Sequence, residues 1–285
     1  MEKKLWDRCV WQFNKSKKDL KMNVHDNKFL IDMKQKDKLV LPRVEIVATL
    51  KCTLNCVGCS HLIDLFVEKQ DFPIETLSSS IKIFMERIDA CICTSITGGE
   101  PFLHPSIGEL ITLCSEHPKI LYVDITTNAT IIPKPDVIKS LSNKKVSVKV
   151  NKYPGSNKFD ELIDIFNNGN VNYYVLPQEP WIDYGDFTKR NKRKSILMQD
   201  FLSCYNGIYC KTILNNRLFH CPRAAYLFGL GNYDLGIESL DLKGNTFNAE
   251  NLKEFYLQNY NSVCDYCDRM QRTPIPRGNQ LSTIC

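Results

Sequence analysis

Three cysteines, Cys52, Cys56 and Cys59, follow directly on the apolar run Val44-Glu45-Ile46-Val47-Ala48, which reads as a β-strand. Thiolates at this spacing on one loop can converge on a single inorganic cube. A 4Fe-4S cluster has four irons and takes cysteine thiolates as its usual ligands. Three ligands leave one iron open, which is of no use for pure electron transfer but lets a second molecule chelate. Zinc is the alternative; it needs a fourth ligand, and His61 stands two residues on. A second segment, Thr97-Gly98-Gly99-Glu100-Pro101, follows the next strand. Glycines there let the backbone approach a ligand closely, and a carboxylate suits an ammonium group. Alone, the same residues would make an ordinary strand-to-helix turn. A third group comprises Cys204, Cys210, Cys221, Cys264 and Cys267. Four thiolates from it would suit an iron–sulfur cluster or a structural zinc.

The elements that must position these residues alternate regularly. Helical spacing over Ile74 to Ala90 puts Leu77, Ile81, Phe84, Met85 and Ile88 on one face. Strands are expected at 92–97, 120–126, 146–150 and 171–176, with helices at 105–116, 136–141 and 159–167 between them. Such alternation implies right-handed βαβ units around a parallel sheet, with chemistry at the carboxyl ends of the strands. Five units are legible and a sixth is suspected. The expected fold is α/β, a partial (β/α)6 TIM-like barrel with a small C-terminal cysteine-rich domain of β-hairpin and helix. The domain reading is 1–42 as an extension packed on the main domain, 43–185 as the barrel core and 186–285 as the cysteine-rich domain. In the last of these, 209–215 and 217–220 read as a hairpin turning at Asn215-Asn216, residues that tolerate positive φ, and 249–258 as a helix.

Composition narrows the classes. The chain has 285 residues, 43% of them apolar, which is enough to bury a core. A formal charge of +5 is too mild to argue for nucleic acid, and the Lys-rich stretches at 15–21, 34–38 and 189–194 read as solvated faces. No apolar run reaches the ~18 residues of a spanning helix, and Met1 to Trp6 lacks the apolar region of a signal peptide. The expectation is a cytoplasmic protein off the membrane. In a reducing compartment, the clustered members of thirteen cysteines read as ligands and not as disulfides. Cys9, Cys91, Cys93, Cys114 and Cys285 read as buried hydrophobes or surface thiols, with Cys91 and Cys93 on one face of a strand.

The C-x3-C-x2-C segment, followed by Gly98-Gly99-Glu100-Pro101, resembles the radical S-adenosylmethionine (SAM) superfamily. The resemblance implies that Cys52, Cys56 and Cys59 hold a 4Fe-4S cluster whose open iron binds the methionine moiety of SAM. Reductive cleavage would then give a 5′-deoxyadenosyl radical that abstracts hydrogen from a substrate. It also implies SAM contacts from Gly98, Gly99 and Glu100, and from Thr127, Asn128 and Asn151 at the next strand ends. The family usually has an aromatic residue before the third cysteine, near the adenine; this chain has Gly58, so that contact would fall to the Gly58 backbone or to another residue. The third cysteine group resembles a SPASM domain or its shorter twitch form. That implies one auxiliary 4Fe-4S cluster, with Cys221, Cys264 and Cys267 as ligands and Cys204 and Cys210 competing for the fourth place.

Subfamilies of this architecture act on sugars, aminoglycoside precursors or ribosomal peptides. Cys52-Thr-Leu-Asn-Cys56, Trp181-Ile-Asp-Tyr-Gly185 and Cys221-Pro-Arg-Ala resemble members among carbohydrate and capsule biosynthesis proteins. The first reading is therefore dehydrogenation, dehydration or epimerisation of a small molecule, a sugar or sugar derivative. It draws also on the short extension before Arg43, which leaves no room for a peptide-binding domain. The second is cross-linking or epimerisation of a ribosomal peptide. A third, of another class, is a metal-stabilised binding protein that never cleaves SAM. An external electron donor such as flavodoxin or ferredoxin is implied for either enzyme. Trp181, Tyr184, Arg190, Arg223 and Tyr226 lie where a roof over the barrel mouth is expected, and no general acid or base is legible.

Overall fold

The computed structural model describes residues 2–20, 27–231 and 238–281. Two helices, α1 (Lys3–Leu20) and α2 (Asn27–Gln35), precede the alternation. It then runs β1 (Val40–Thr49), α3 (Ile74–Glu86), β2 (Ala90–Gly98), α4 (Ile107–Glu116), β3 (Ile120–Thr127), α5 (Pro135–Leu141), β4 (Val146–Val150), α6 (Phe159–Asn168) and β5 (Tyr173–Val175). Strands β1 to β5 pair in parallel, each with its neighbour in sequence. After β6 (Trp181–Ile182), α7 (Lys194–Ser203) and α8 (Tyr205–Tyr209), strand β7 (Thr212–Leu214) returns to pair in parallel with β1. It is the sixth parallel strand. Next, β8 (Arg217–Phe219) and, after α9 (Pro222–Gly229), β9 (Ser239–Asp241) extend the sheet antiparallel. The order is β5-β4-β3-β2-β1-β7-β8-β9, an α/β sheet whose two edges are not joined among the described residues. Helix α10 (Ala249–Leu257) and the short β10 (Pro274–Ile275), which pairs with β6, complete the fold.

Register separates the two sheet faces. Glu45, Ser95, Asp124 and Ser147 lie in register across β1 to β4, so they share one face with Arg43, Cys93 and Lys149 two residues away. Val44, Ile46, Ile96, Val123, Ile125, Val146 and Val148 are fully buried and carry the core. In α3, buried Leu77, Ile81, Phe84 and Met85 recur at helical spacing, as expected. Helix α1 buries Leu5, Cys9 and Phe13, four residues apart, and its Trp6, Cys9 and Phe13 pack with Val40, Ala90, Ile92 and Leu121. Those are the first residues of their strands, so α1 covers the amino ends and leaves the carboxyl ends to the chemistry.

The hairpin turns at Asn215 (φ 46°) and Asn216 (φ 62°) as expected, and its strands join the main sheet beside β1. Leu41, Phe166, Phe219, Tyr226 and Val263 pack in one core. Helices α1, α2, α7, α8 and α9 were not legible as helices. Of the five cysteines read as packing residues, Cys9, Cys91, Cys93 and Cys114 are buried, and Cys285 lies outside the described residues. No described helix is long and apolar enough to cross a membrane.

Candidate active site

The carboxyl ends of β1 to β4 open on a cleft. Its lining includes Cys52, Cys56 and Cys59, together with Gly98, Gly99, Thr127, Asn128 and Asn151. Most of the residues expected to hold SAM or its cluster therefore meet in one place. Two of them do not line it. Gly58 has φ +67°, and an added Cβ would collide with Ile275, so neither the backbone angle nor the space admits the aromatic residue usual there. Glu100 is fully buried beneath the cleft.

The Gly-Gly segment is stitched to the cysteine loop by its backbone. Gly99 N–H donates to Thr49 O (2.9 Å) and Glu100 N–H to Lys51 O (2.8 Å). A Cβ on Gly98 would strike Thr49 O, and one on Gly99 would strike Lys51 O. Glycine is needed here so that two loops can touch, whatever they bind. Gly98 O accepts from His61 Nδ1 (2.8 Å), and the His61 ring stacks on Tyr226 at 4.8 Å. That nitrogen is engaged with a carbonyl and is not free for a metal.

Glu100 positions the floor. Its carboxylate accepts from Asn128 N–H (2.7 Å), Thr127 Oγ1 (2.9 Å) and Phe102 N–H (3.2 Å). Asn128 in turn donates from Nδ2 to Thr53 Oγ1 (3.1 Å) and toward Cys52 Sγ (3.6 Å). All three donors are the protein's own, so Glu100 acts on the cleft through Asn128. Burial pushes the Glu100 pKa up to about 7, against those donors, which pull it down. Glu100→Gln should cost roughly 1–3 kcal/mol, since an NH2 group would face donors that need an acceptor. The sign of its pH dependence follows from linkage. Between the ordinary carboxyl value and about 7, the folded state holds a proton that the unfolded state has lost, so Glu100 favours folding less as pH rises through that window. The stability gap between wild type and variant should narrow over it in thermal unfolding of the iron-free protein; a gap that widened would contradict this account.

The remaining cysteines divide. Cys204 and Cys221 precede α8 and α9, and Cys264 and Cys267 lie on the turn at 262–267; burial raises the pKa of Cys221, Cys264 and Cys267, and the neighbouring thiols raise it further. Cys210, at the other end of α8, is buried, and burial and the Glu45 carboxylate push its thiol well up. Basic groups surround the four. Lys192 Nζ donates to Cys264 O (3.2 Å) and Cys267 O (2.8 Å), Arg223 donates to Tyr266 O (3.0 Å), and Arg269 hydrogen-bonds Cys204 and Tyr184. Four thiols within a cationic shell fit an anionic cluster. Four thiolates would suit a structural zinc as well as a cube.

Of the residues placed at a roof, Trp181 lines the cleft, edge-on to Tyr153 at 5.4 Å. Tyr184 and Arg223 stand at the second cysteine group, Tyr226 is buried under His61, and Arg190 pairs with Asp186 (2.7 Å) and Asp268. Sequence reasoning missed Tyr153, Asp64 and the segment 273–281. Nothing in their residue types announces a site.

No family model matches the chain. A stretch of 97 residues is 32% identical to the GTP 3′,8-cyclase of Chlorobaculum tepidum, covering 32% of this chain and 27% of that protein. The match thus spans about a quarter of the relative's length. Among solved structures, BtrN in complex with AdoMet and 2-DOIA superposes with a TM-score of 0.51 at 14% identity, over 84% of this chain and 98% of that one. Native anSMEcpe with bound AdoMet and Kp18Cys peptide gives 0.52 at 15% identity, over 84% and 93%. At these identities the likeness is one of fold.

Proposed function

We propose that this chain, which belongs to the radical SAM superfamily by its fold and its three-cysteine segment, reductively cleaves SAM and abstracts hydrogen from a small molecule, a sugar or sugar derivative. The observation that carries the reading is the meeting of Cys52, Cys56 and Cys59 with Gly98, Gly99, Thr127, Asn128 and Asn151 in one cleft at the strand ends. When bound, a cluster on the three thiolates would supply the electron for that cleavage and an open iron for the methionine moiety. The chain's own part is to hold and orient. Asn128 braces the Cys52 sulfur, Glu100 fixes Asn128, and the Gly98 and Gly99 backbone lines the wall beside them. Tyr153 and Trp181 shield the opposite side from water.

The second group, Cys204, Cys221, Cys264 and Cys267, is read as the site of one auxiliary 4Fe-4S cluster that would take up the second electron of a dehydrogenation. The fold shared with BtrN, solved with AdoMet and 2-DOIA, supports the small substrate. A peptide offering a single side chain is the second reading, and the fold shared with a peptide-bound neighbour favours keeping it. Anaerobic reconstitution tests the chemistry: with a strong reductant and SAM the protein should form 5′-deoxyadenosine. An iron-loaded protein that forms none would overturn the assignment and favour a metal-stabilised binding protein.

A further inference from the structure

The cysteine loop has a partner from far along the chain. Val57 N–H donates to Asn279 O (2.7 Å) and Leu281 N–H to Asn55 O (2.7 Å), so 279–281 runs antiparallel beside Asn55 to Val57. The Gln280 side chain closes the pairing at both ends of its amide. Its Oε1 accepts from Asn55 N–H (2.8 Å), and its Nε2 donates to Cys56 Sγ (3.1 Å). Upstream, Ile275 pairs with Trp181 and fills the space that Gly58 leaves. Arg277 spans the interval: it donates to Pro177 O (2.6 Å) and to Asn151 Oδ1, and lies over the Tyr153 ring at 5.1 Å. The chain turns at Gly278 (φ +63°), where an added Cβ would meet Tyr153. Pro274 and Pro276 carry no N–H, so the strap offers little for a further strand to pair with.

We propose that residues 273–281 form a fixed wall of the cluster site, and that Gln280 is a positioning residue that holds the Cys56 sulfur and tunes the cluster bound there. This rests on the reading of Cys52, Cys56 and Cys59 as cluster ligands. An N–H donated to a ligand sulfur stabilises the more negative, reduced cluster and so raises its potential. Cys56 is 8% exposed, less than the half-buried Cys52 and Cys59, because the strap covers it.

Two measurements test this, and they fail separately. In the iron-free protein, iodoacetamide should alkylate Cys56 several-fold more slowly in the wild type than in Leu281→Pro, which removes one strap hydrogen bond, while Cys52 reacts alike in both. A Cys56 rate equal in the two proteins would overturn the wall, whether or not the protein holds iron. In the reconstituted protein, Gln280→Leu should move the midpoint potential of the SAM-binding cluster to more negative values, in an EPR-monitored titration without SAM, and leave the second cluster where it was. An unchanged potential in a fully loaded variant would overturn the role of Gln280. Loss of iron from the variant, with its iron-free form melting like wild type, supports the same contact. Wild-type protection of Cys56 in a protein that never loads iron would sink the cluster reading and leave the wall standing.

Discussion

Replacing Cys52, Cys56 and Cys59 together with alanine should abolish 5′-deoxyadenosine formation outright and leave about half of the reconstituted iron. The loss is total because the three thiolates act as one unit: a cube held by two of them has neither its place in the cleft nor its single open corner. The iron that remains would be held by Cys204, Cys221, Cys264 and Cys267, none of which lines the cleft of the first three cysteines. Iron analysis and product assay on the same sample check both halves. A triple variant that still formed the product would remove these residues from the chemistry.

Asp124→Ala should be the most damaging single change to stability, at roughly 3–5 kcal/mol, because it strips a buried partner from two buried cations. Arg43 grips the Asp124 carboxylate with both terminal nitrogens (2.6 and 3.1 Å), Lys149 reaches it at 2.5 Å, and Ser95 donates to it as well. Burial works to raise its pKa, yet Arg43 and Lys149 hold it well below the ordinary carboxyl range. The sign is therefore that of a depressed acid. The contribution is fully present above the unfolded value near ~4 and is lost as pH falls through the folded value, so wild type and variant should converge in acid. Denaturant unfolding of the iron-free proteins measures it. A difference under about 1 kcal/mol at neutral pH would mean that water, and not Asp124, pairs the two cations.

This network shows where sequence reading stops. Cys91 and Cys93 were legible as strand residues sharing a face, but nothing local says that Arg43, Asp124 and Lys149 meet there, since the register of parallel strands is set by partners far apart in the chain. The triplet and the Gly-Gly segment were legible because each follows a strand, and βαβ alternation brings successive strand ends together. The Asn215-Asn216 turn was legible from its tolerance of positive φ, while the return of β7 to the edge of β1 was not, because three residues carry too little pattern to name a distant partner. Which of Cys204 and Cys210 would serve as a ligand depends on where each side chain points at the ends of a five-residue helix, and residue spacing does not carry that. Glu100 was legible as part of the site, but its bonds to Asn128, Thr127 and Phe102 were not, since those partners lie on a later strand end or depend on the local turn. The strap escaped because Thr-Pro-Ile-Pro-Arg-Gly has no periodicity, and its meaning lies wholly in what it touches.

The most direct measurement is EPR of the reduced, reconstituted protein before and after SAM is added. An open iron beside Gly98 and Gly99 predicts that SAM changes the signal of one cluster only, and that this change survives Cys264→Ala/Cys267→Ala and vanishes in the Cys52, Cys56 and Cys59 triple variant. A reduced, iron-loaded protein whose spectrum is indifferent to saturating SAM would contradict it.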